Sequence, residues 1–176
     1  MDTPTTSTYA PSTADTEYAE RFISEYLTST EASTTSGPKL TLNDGPWPGH
    51  IYIISYQDTS QVLTYHKEKG VVLQDYDGSH SQRWTCHSKH GWLAFAANPG
   101  ESTLFLGHYD SKLRCRATEV QWNEMFCVRK RLKGLDGFQV LMRSHDISLW
   151  PVGVHDDSDV AVLRGSEAWW GFTMIA

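Results

Sequence analysis

The chain has 176 residues, 39% of them hydrophobic, so it is long enough to bury one ordinary core, and 7 Trp and 8 Tyr give it a large aromatic content. The net charge of −6 comes mostly from residues 1–37, which carry six acids against one Arg, so the remainder is near neutral and lacks the basic stripe of a nucleic-acid-binding protein. No apolar run approaches the roughly 18 residues of a membrane span, and the Ser/Thr-rich, acidic N-terminus is unlike a signal peptide, so a cytoplasmic protein without membrane contacts is expected.

The first segment of the chain is a polar arm. Residues 1–36 contain 16 Ser or Thr, a composition that buries too little apolar surface to fold, and we expect most of residues 1–46 to be a mobile arm. Within it, Tyr18, Phe22, Ile23 and Tyr26 recur at helical spacing and predict a short amphipathic helix over about 15–27. A helix of that length is marginal alone, so we expect it to dock the face carrying Phe22 and Ile23 on the body.

Residues 47–176 read as an all-β domain, because β-branched and aromatic runs return every 8 to 12 residues between turn signals. The predicted strands are His50–Tyr56, Val62–His66, Gly70–Asp75, Arg83–His87, Trp92–Ala97, Leu104–His108, Lys112–Ala117, Met125–Lys130, Gly137–Met142, Ile147–Val152, Asp159–Arg164 and Trp169–Ile175. The pattern therefore predicts twelve strands.

A repeat organises these strands. Trp84, Phe126 and Trp170 lie 42 and 44 residues apart, each near the end of a four-strand unit, which gives repeats of about 47–90, 91–136 and 137–176. Three such units fit a β-trefoil, in which six strands close a short barrel and three hairpins cap one end, because closure removes exposed strand edges. We expect the three aromatic residues to be core, and Val62-Leu63, Phe105-Leu106 and Ser148-Leu149 to open equivalent second strands.

Two family resemblances rest on short motifs. Gln82-Arg83-Trp84 resembles the Gln-x-Trp motif of ricin-B-type lectin repeats, and the segment 71–76 before it resembles the third strand of such a repeat. Segments 91–95, 106–108, 126–129 and 137–141 resemble uncharacterised fungal proteins of the fascin-like trefoil type. Both resemblances imply a β-trefoil, and neither fixes the activity.

The lectin resemblance implies a ligand site in the first repeat. In ricin-type lectins a sugar is held by an Asp after the first strand, an aromatic platform after the third and an Asn just before the Gln-x-Trp. Carried over, the Asp is Asp58 and the platform Tyr76, although Gln74 aligns more directly, while Ser81 stands at the Asn position. Asp77 and His80, in the same loop, complete the predicted ligand-binding set. The other repeats offer Asn98 with Glu119, and Asp146 with Asp156, without an obvious platform.

Histidines beside carboxylates suggest an alternative. His145-Asp146 and His155-Asp156 bracket a hairpin of the third repeat, and an imidazole oriented by a carboxylate could act as a general base near neutral pH. This would suit a small cofactor-independent cyclase or isomerase of fungal secondary metabolism. Nucleophile, phosphate-binding, zinc and dinucleotide motifs are absent from the sequence, so neither cofactor nor metal is expected. The odd set Cys86, Cys115 and Cys127 lacks C-x-x-C spacing and predicts free thiols.

The leading hypothesis is a non-catalytic β-trefoil binding module for a carbohydrate or other small molecule, with a protein partner as the next class of ligand. The cofactor-independent enzyme is the alternative. A third hypothesis is a structural adaptor that binds through its N-terminal arm. The sequence leaves the oligomeric state open.

Overall fold

A computed structural model describes residues 45–98, 100, 102–110, 112–131, 136–144, 148–155 and 158–175. The predicted helix over about 15–27, and the predicted arm up to residue 44, lie outside these residues. In the described part of the chain, no helix is long and apolar enough to span a membrane. The strands are β1 Ile51–Tyr56, β2 Gln61–His66, β3 Gly70–Asp75, β4 Trp84–Lys89, β5 Trp92–Ala97, β6 Leu104–Tyr109, β7 Lys112–Ala117, β8 Phe126–Lys130, β9 Phe138–Arg143, β10 Leu149–His155, β11 Asp159–Val162 and β12 Trp170–Ile175. Short 3-10 helices, His80–Gln82 and Trp122–Glu124, precede β4 and β8.

Six of these strands close a barrel. Antiparallel pairing runs from β1 to β4, β5, β8, β9 and β12, and the last of these returns to β1. The return is the longest ladder, from Ile51 opposite Ile175 to Tyr56 opposite Trp170. Closure leaves none of these six strands with a free edge, which is how a short barrel avoids edge-to-edge association.

The other six strands form three hairpins, β2–β3, β6–β7 and β10–β11. Each follows its barrel strand through a short antiparallel pairing, β1–β2, β5–β6 and β9–β10. The hairpins also meet one another, as where Asp159 of β11 pairs with Val72 of β3. A six-stranded barrel capped by three hairpins, with four strands per repeat, is a β-trefoil, and the predicted fold is confirmed.

The barrel core contains the three repeated aromatic residues. Trp84, Phe126 and Trp170 are all buried, as predicted. The indole N–H of Trp84 donates to the carbonyl of Leu63 at 2.8 Å, and that of Trp170 donates to the carbonyl of Val152 at 3.1 Å. Each buried indole thus gains a polar partner on the second strand of its own repeat, which a buried Trp requires.

These two hydrogen bonds correct one predicted equivalence. Val152, and not Leu149, occupies in the third repeat the place of Leu63, whereas Leu149 starts β10 on the surface. The prediction misplaced this strand because Pro151 and Gly153 interrupt its alternating pattern. The barrel axis is almost filled, since the central void measures only about 10 Å³. A ligand therefore has to bind outside the barrel.

The cysteines are free thiols, as predicted, with Cys86 and Cys115 buried and Cys127 half-buried. A second, smaller apolar cluster lies apart from the barrel core. It contains Ala94, Ala96, Phe105, Val120 and Met125, with Trp92 and Ala117 packed against it.

Candidate functional site

The loop between β3 and β4, residues 76–83, carries most of the predicted ligand residues and is called here the first-repeat loop. Its anchor is the Gln of the Gln-x-Trp motif. The side-chain oxygen of Gln82 accepts from the backbone N–H groups of Asp77 at 3.0 Å and Gly78 at 3.2 Å. The side-chain nitrogen donates to the carbonyl of Asp75 at 2.9 Å. Gln82 is completely buried, so its role is to fix the loop.

The first-repeat loop is also tied to the turn between β1 and β2. The Ser60 hydroxyl donates to a carboxylate oxygen of Asp75 at 2.7 Å, and the backbone N–H of Tyr76 donates to the carbonyl of Ser60 at 3.4 Å. These bonds place the end of β3 directly beside the β1–β2 turn. Asp75 is exposed.

Tyr76 presents an aromatic ring to solvent, with 59% of its surface exposed. Its hydroxyl lies 3.8 Å from the position that a Cβ on Gly78 would occupy, so the ring lies alongside the loop. Asp75 and Asp77 flank Tyr76 in the chain. An exposed flat ring on a segment that also carries carboxylates can offer both contacts that a sugar needs, an apolar plate for its C–H face and acceptors for its hydroxyls.

The remaining predicted residues differ in whether the structure already engages their side chains in hydrogen bonds. Asp58 is exposed at the β1–β2 turn with φ of 63°, a left-handed conformation that Asp tolerates better than most residues. Gln74 is exposed on β3, opposite Val62. Asp77 is already engaged, because one of its oxygens accepts from the backbone N–H of Ser79 at 2.8 Å. Hydrogen bonds from the side chain and backbone of Ser79 hold the pKa of the Asp77 carboxyl below its ordinary value.

His80 faces a different place. With Ser81 it lines a surface cavity of about 390 Å³ between the first and second repeats, whose other walls are Tyr65, Ala97, Asn98 and Gly100. Asp58, Gln74, Tyr76 and Asp77 are not in that lining. The predicted set is thus divided into two adjacent places, the Tyr76 side of the loop and the cavity on the His80 side.

The loops before the fourth strands of the other repeats also carry aromatic rings, but cations lie over them. The Arg143 guanidinium carbon is 3.7 Å from the ring centre of Trp122 in the second repeat. In the third repeat the corresponding carbon of Arg131 is 4.6 Å from the ring centre of Trp169. Among the described residues no cation–π contact involves Tyr76.

Of the four residues of the enzymatic alternative, the structure describes only His155. His145, Asp146 and Asp156 lie outside the described residues. His155 is exposed at the end of β10, in register with Asp159 of β11, whose carboxylate accepts from Lys112 at 2.5 Å. Within the described ranges no group of three or more His, Cys, Asp or Glu could hold a metal ion.

Sequence reasoning missed two residues that shape the first-repeat site, Asp75 and Ser60. The sequence pattern predicts Asp75 only as the last residue of a strand. The turn signal Asp58-Thr59-Ser60 could have indicated both residues. In a trefoil repeat the turn between the first two strands lies next to the end of the third strand, so the Ser60 hydroxyl is expected near the Asp75 carboxylate.

Comparisons with known proteins place the fold. No family model matches the chain, and no curated protein matches it. Among solved structures, a ricin B-like lectin of Macrolepiota procera in complex with lactose superposes with a TM-score of 0.57 at 13% identity, covering 73% of this chain and 98% of the lectin. The lysenin pore superposes with a TM-score of 0.59 at 12% identity, and the match covers 82% of this chain and 56% of the lysenin chain. At these identities the likeness concerns the fold alone.

Proposed function

We propose that this chain, which has the β-trefoil fold of ricin B-like lectins, is a carbohydrate-binding module whose site is the Tyr76 side of the first-repeat loop. The observation that carries the proposal is the exposed Tyr76 ring, which directly follows Asp75 in the chain, together with the hydrogen bond from Ser60 that holds the Asp75 carboxylate in place. The buried Gln82 fixes the loop before any ligand arrives, so little ordering entropy is lost on binding.

The roles follow from the chemistry of each group. The Tyr76 ring stacks on the apolar face of the sugar, and Asp58 and Asp75 accept from its hydroxyls. Gln74, exposed on β3 two residues before Tyr76, is assigned an additional amide contact, whereas Asp77 serves the loop because Ser79 occupies its oxygen. The rings of the other two repeats carry Arg side chains, and this favours a single site for a neutral sugar.

The first ligand to test is lactose, because the structure of the lectin that shares this fold is a complex with lactose. Wild-type protein is passed over immobilised lactose, eluted with free lactose, and then applied to an array of neutral glycans. We expect retention of wild type and about a tenfold loss of affinity for Tyr76→Ala, the equivalent of roughly 1.4 kcal/mol of aromatic contact. Tyr76→Phe retains the plate and should bind nearly as wild type, while Asp58→Asn and Asp75→Asn should each weaken retention.

Glu68→Gln is the matched control, because it removes an exposed acid from the turn on the other side of the same hairpin. Absence of wild-type retention on lactose and on every neutral glycan would overturn the proposal, as would equal retention of Tyr76→Ala. The enzymatic alternative predicts the opposite pattern, with turnover that depends on His145 or His155 and is indifferent to Tyr76.

A further inference from the structure

Arg143 and Trp122 form a stacked pair at the junction of the second and third repeats. Arg143 ends β9, and Trp122 begins the 3-10 helix before β8. The guanidinium carbon is 3.7 Å from the ring centre of Trp122 and 5.7 Å from that of Trp92. Despite the stack, 59% of the Trp122 surface stays exposed. The pair is therefore an ordered feature that a ligand can reach.

The charge of Arg143 is not balanced by a described residue. Its Nε atom is buried without a hydrogen-bond partner, and the ion pairs in the described part of the chain, Lys112 with Asp159 and Arg116 with Asp110, do not involve it. A buried donor without a partner is destabilising. Arg116 makes the contrast clear, because it also lies over a ring, that of Tyr109, yet has the Asp110 carboxylate at 3.6 Å.

Pseudo-symmetry shows what this place corresponds to in the first repeat. Trp84 and Phe126 start equivalent strands, so Trp122, four residues before Phe126, corresponds to His80. Leu93 pairs with Phe126 as Phe138 pairs with Trp170, so Leu93 and Phe138 are equivalent. Arg143, five residues after Phe138, therefore corresponds to Asn98, five residues after Leu93. His80 and Asn98 are both walls of the 390 Å³ cavity. Trp122 and Arg143 thus lie, at the junction of the second and third repeats, in the place that corresponds to the cavity at the junction of the first and second repeats.

We propose that Trp122 and Arg143 form a second binding site, for the carboxylate of an acidic sugar of the uronic acid type. The stack on Trp122 fixes the plane of the guanidinium, and a fixed guanidinium edge matches a carboxylate through two parallel N–H···O bonds. The exposed part of the indole provides an apolar surface for the sugar ring. The carboxylate would balance a charge for which the described residues supply no ion pair. This site shares no residue with the Tyr76 site and does not depend on it.

The test is a titration of full-length ¹⁵N-labelled protein with sodium glucuronate, with glucose as the neutral counterpart, at constant ionic strength. The readouts are the NMR signals of the Trp122 indole N–H and the Arg143 Nε–H, identified from the variants Trp122→Phe and Arg143→Lys. We expect saturable shifts of both signals with glucuronate and none with glucose. Arg143→Lys, which keeps the charge and loses the planar fork, should weaken glucuronate at least tenfold, and Arg143→Gln should abolish saturation.

Arg164→Gln is the matched control, because Arg164 also stacks on a ring, 4.1 Å from the centre of Trp150, and its loss should leave glucuronate binding unchanged. Glucuronate shifts no larger than those of glucose, or unchanged affinity in Arg143→Lys, would overturn the proposal. Saturation by sodium acetate at the same affinity would overturn its sugar part. Lactose retention by Arg143→Gln remains a separate readout, so this site and the Tyr76 site can fail independently.

Discussion

Gln82 and Glu124 occupy the same buried place in two repeats and use hydrogen bonds of opposite direction. Each lies two residues before a core aromatic residue, Trp84 or Phe126, and each is about 1% exposed or less. The Gln82 nitrogen donates to the Asp75 carbonyl, whereas a Glu124 oxygen accepts from the Tyr109 hydroxyl. The other Glu124 oxygen accepts from the backbone N–H of Gln121 at 2.8 Å. The two repeats thus satisfy the same buried position with different hydrogen-bond partners.

Replacing the Gln82 amide with the carboxylate found at the equivalent position should therefore be destabilising. In Gln82→Glu, a carboxylate oxygen replaces the donor that faces the Asp75 carbonyl, so a buried acceptor loses its partner beside a buried charge. We expect a loss of about 3 kcal/mol in the free energy of unfolding, measured by urea denaturation. Gln74→Glu makes the same exchange at an exposed position and should change stability by less than about 0.5 kcal/mol. Equal stability of both variants would contradict the anchoring role of Gln82.

Removing a core indole should cost more than removing its hydrogen bond. Trp84→Ala leaves a cavity in the barrel and loses the transfer free energy of the ring, which together should cost about 3 to 5 kcal/mol. Trp84→Phe keeps much of the packing but leaves the Leu63 carbonyl without its hydrogen bond, so we expect a loss of about 1 to 2 kcal/mol in the free energy of unfolding. Trp170→Ala should match Trp84→Ala because its indole makes the equivalent bond. Thermal melts of Trp84→Ala within about a degree of wild type would refute the assignment.

Gly153 has no room for a side chain. A Cβ there would lie 2.2 Å from the Ser166 hydroxyl oxygen and 2.8 Å from the Ser166 Cβ, so Gly153→Ala should cost about 1 to 3 kcal/mol. Ser166→Gly removes both clashing atoms. In a double-mutant cycle the two changes should show a coupling of about 1 kcal/mol or more.

Gly45→Ala is the control for this cycle, since its Cβ would meet only ordinary contact at 3.6 Å from the Phe138 ring. Additive effects of Gly153→Ala and Ser166→Gly would show that the clash lies elsewhere.

The domain should lose stability in alkaline solution. Burial raises the pKa of the Cys86 and Cys115 thiols to about 12, whereas an unfolded thiol titrates near roughly 8.5. Between these values the unfolded chain releases protons that the folded chain keeps, so stability is fully present below about pH 8.5 and falls as pH rises toward 12. The limiting slope is about 1.4 kcal/mol per pH unit for each thiol. Urea midpoints between pH 7.5 and 10.5 measure it.

Replacing Cys86 and Cys115 with Ala should flatten this dependence even though the variant is less stable at pH 7.5. Burial also raises the pKa of the Tyr65 and Tyr109 hydroxyls, which adds a loss of the same sign at the alkaline end. A slope that is unchanged in the double variant would assign the effect to groups other than the thiols.

The fold could be predicted because its determinants are periodic. Alternation within strands and the spacing of Trp84, Phe126 and Trp170 depend only on local sequence and repeat length, and they located the strands with end errors of about two residues. The bounds of β10 are harder to predict because Gly153 has no side chain to continue the alternation and Pro151 is a residue that normally argues against a strand. The end of β11 was overrun because Arg164 and Gly165 turn, with φ of 75° at the glycine.

The candidate site was less accessible to sequence reasoning because its character depends on which groups are already engaged. The spacing suggested Asp77 as a ligand acceptor, but it could not show that Ser79 would occupy that carboxylate. Likewise, Arg143 and Trp122 lie 21 residues apart in the sequence, and only the pairing of β8 with β9 brings their parts of the chain together. A contact between residues on different repeats leaves no periodic signal.

The pairing of β1 with β12 has a consequence for chain connectivity. Ile51 and Ile175 are opposite partners, so the two ends of the trefoil lie on adjacent strands of the barrel. A short peptide could join them, and new ends could be opened at the β4–β5 turn, where His90 and Gly91 both have positive φ and are exposed. The order in which the three repeats follow one another is therefore not what specifies this barrel, and a circular permutant beginning with the second repeat should close the same six strands.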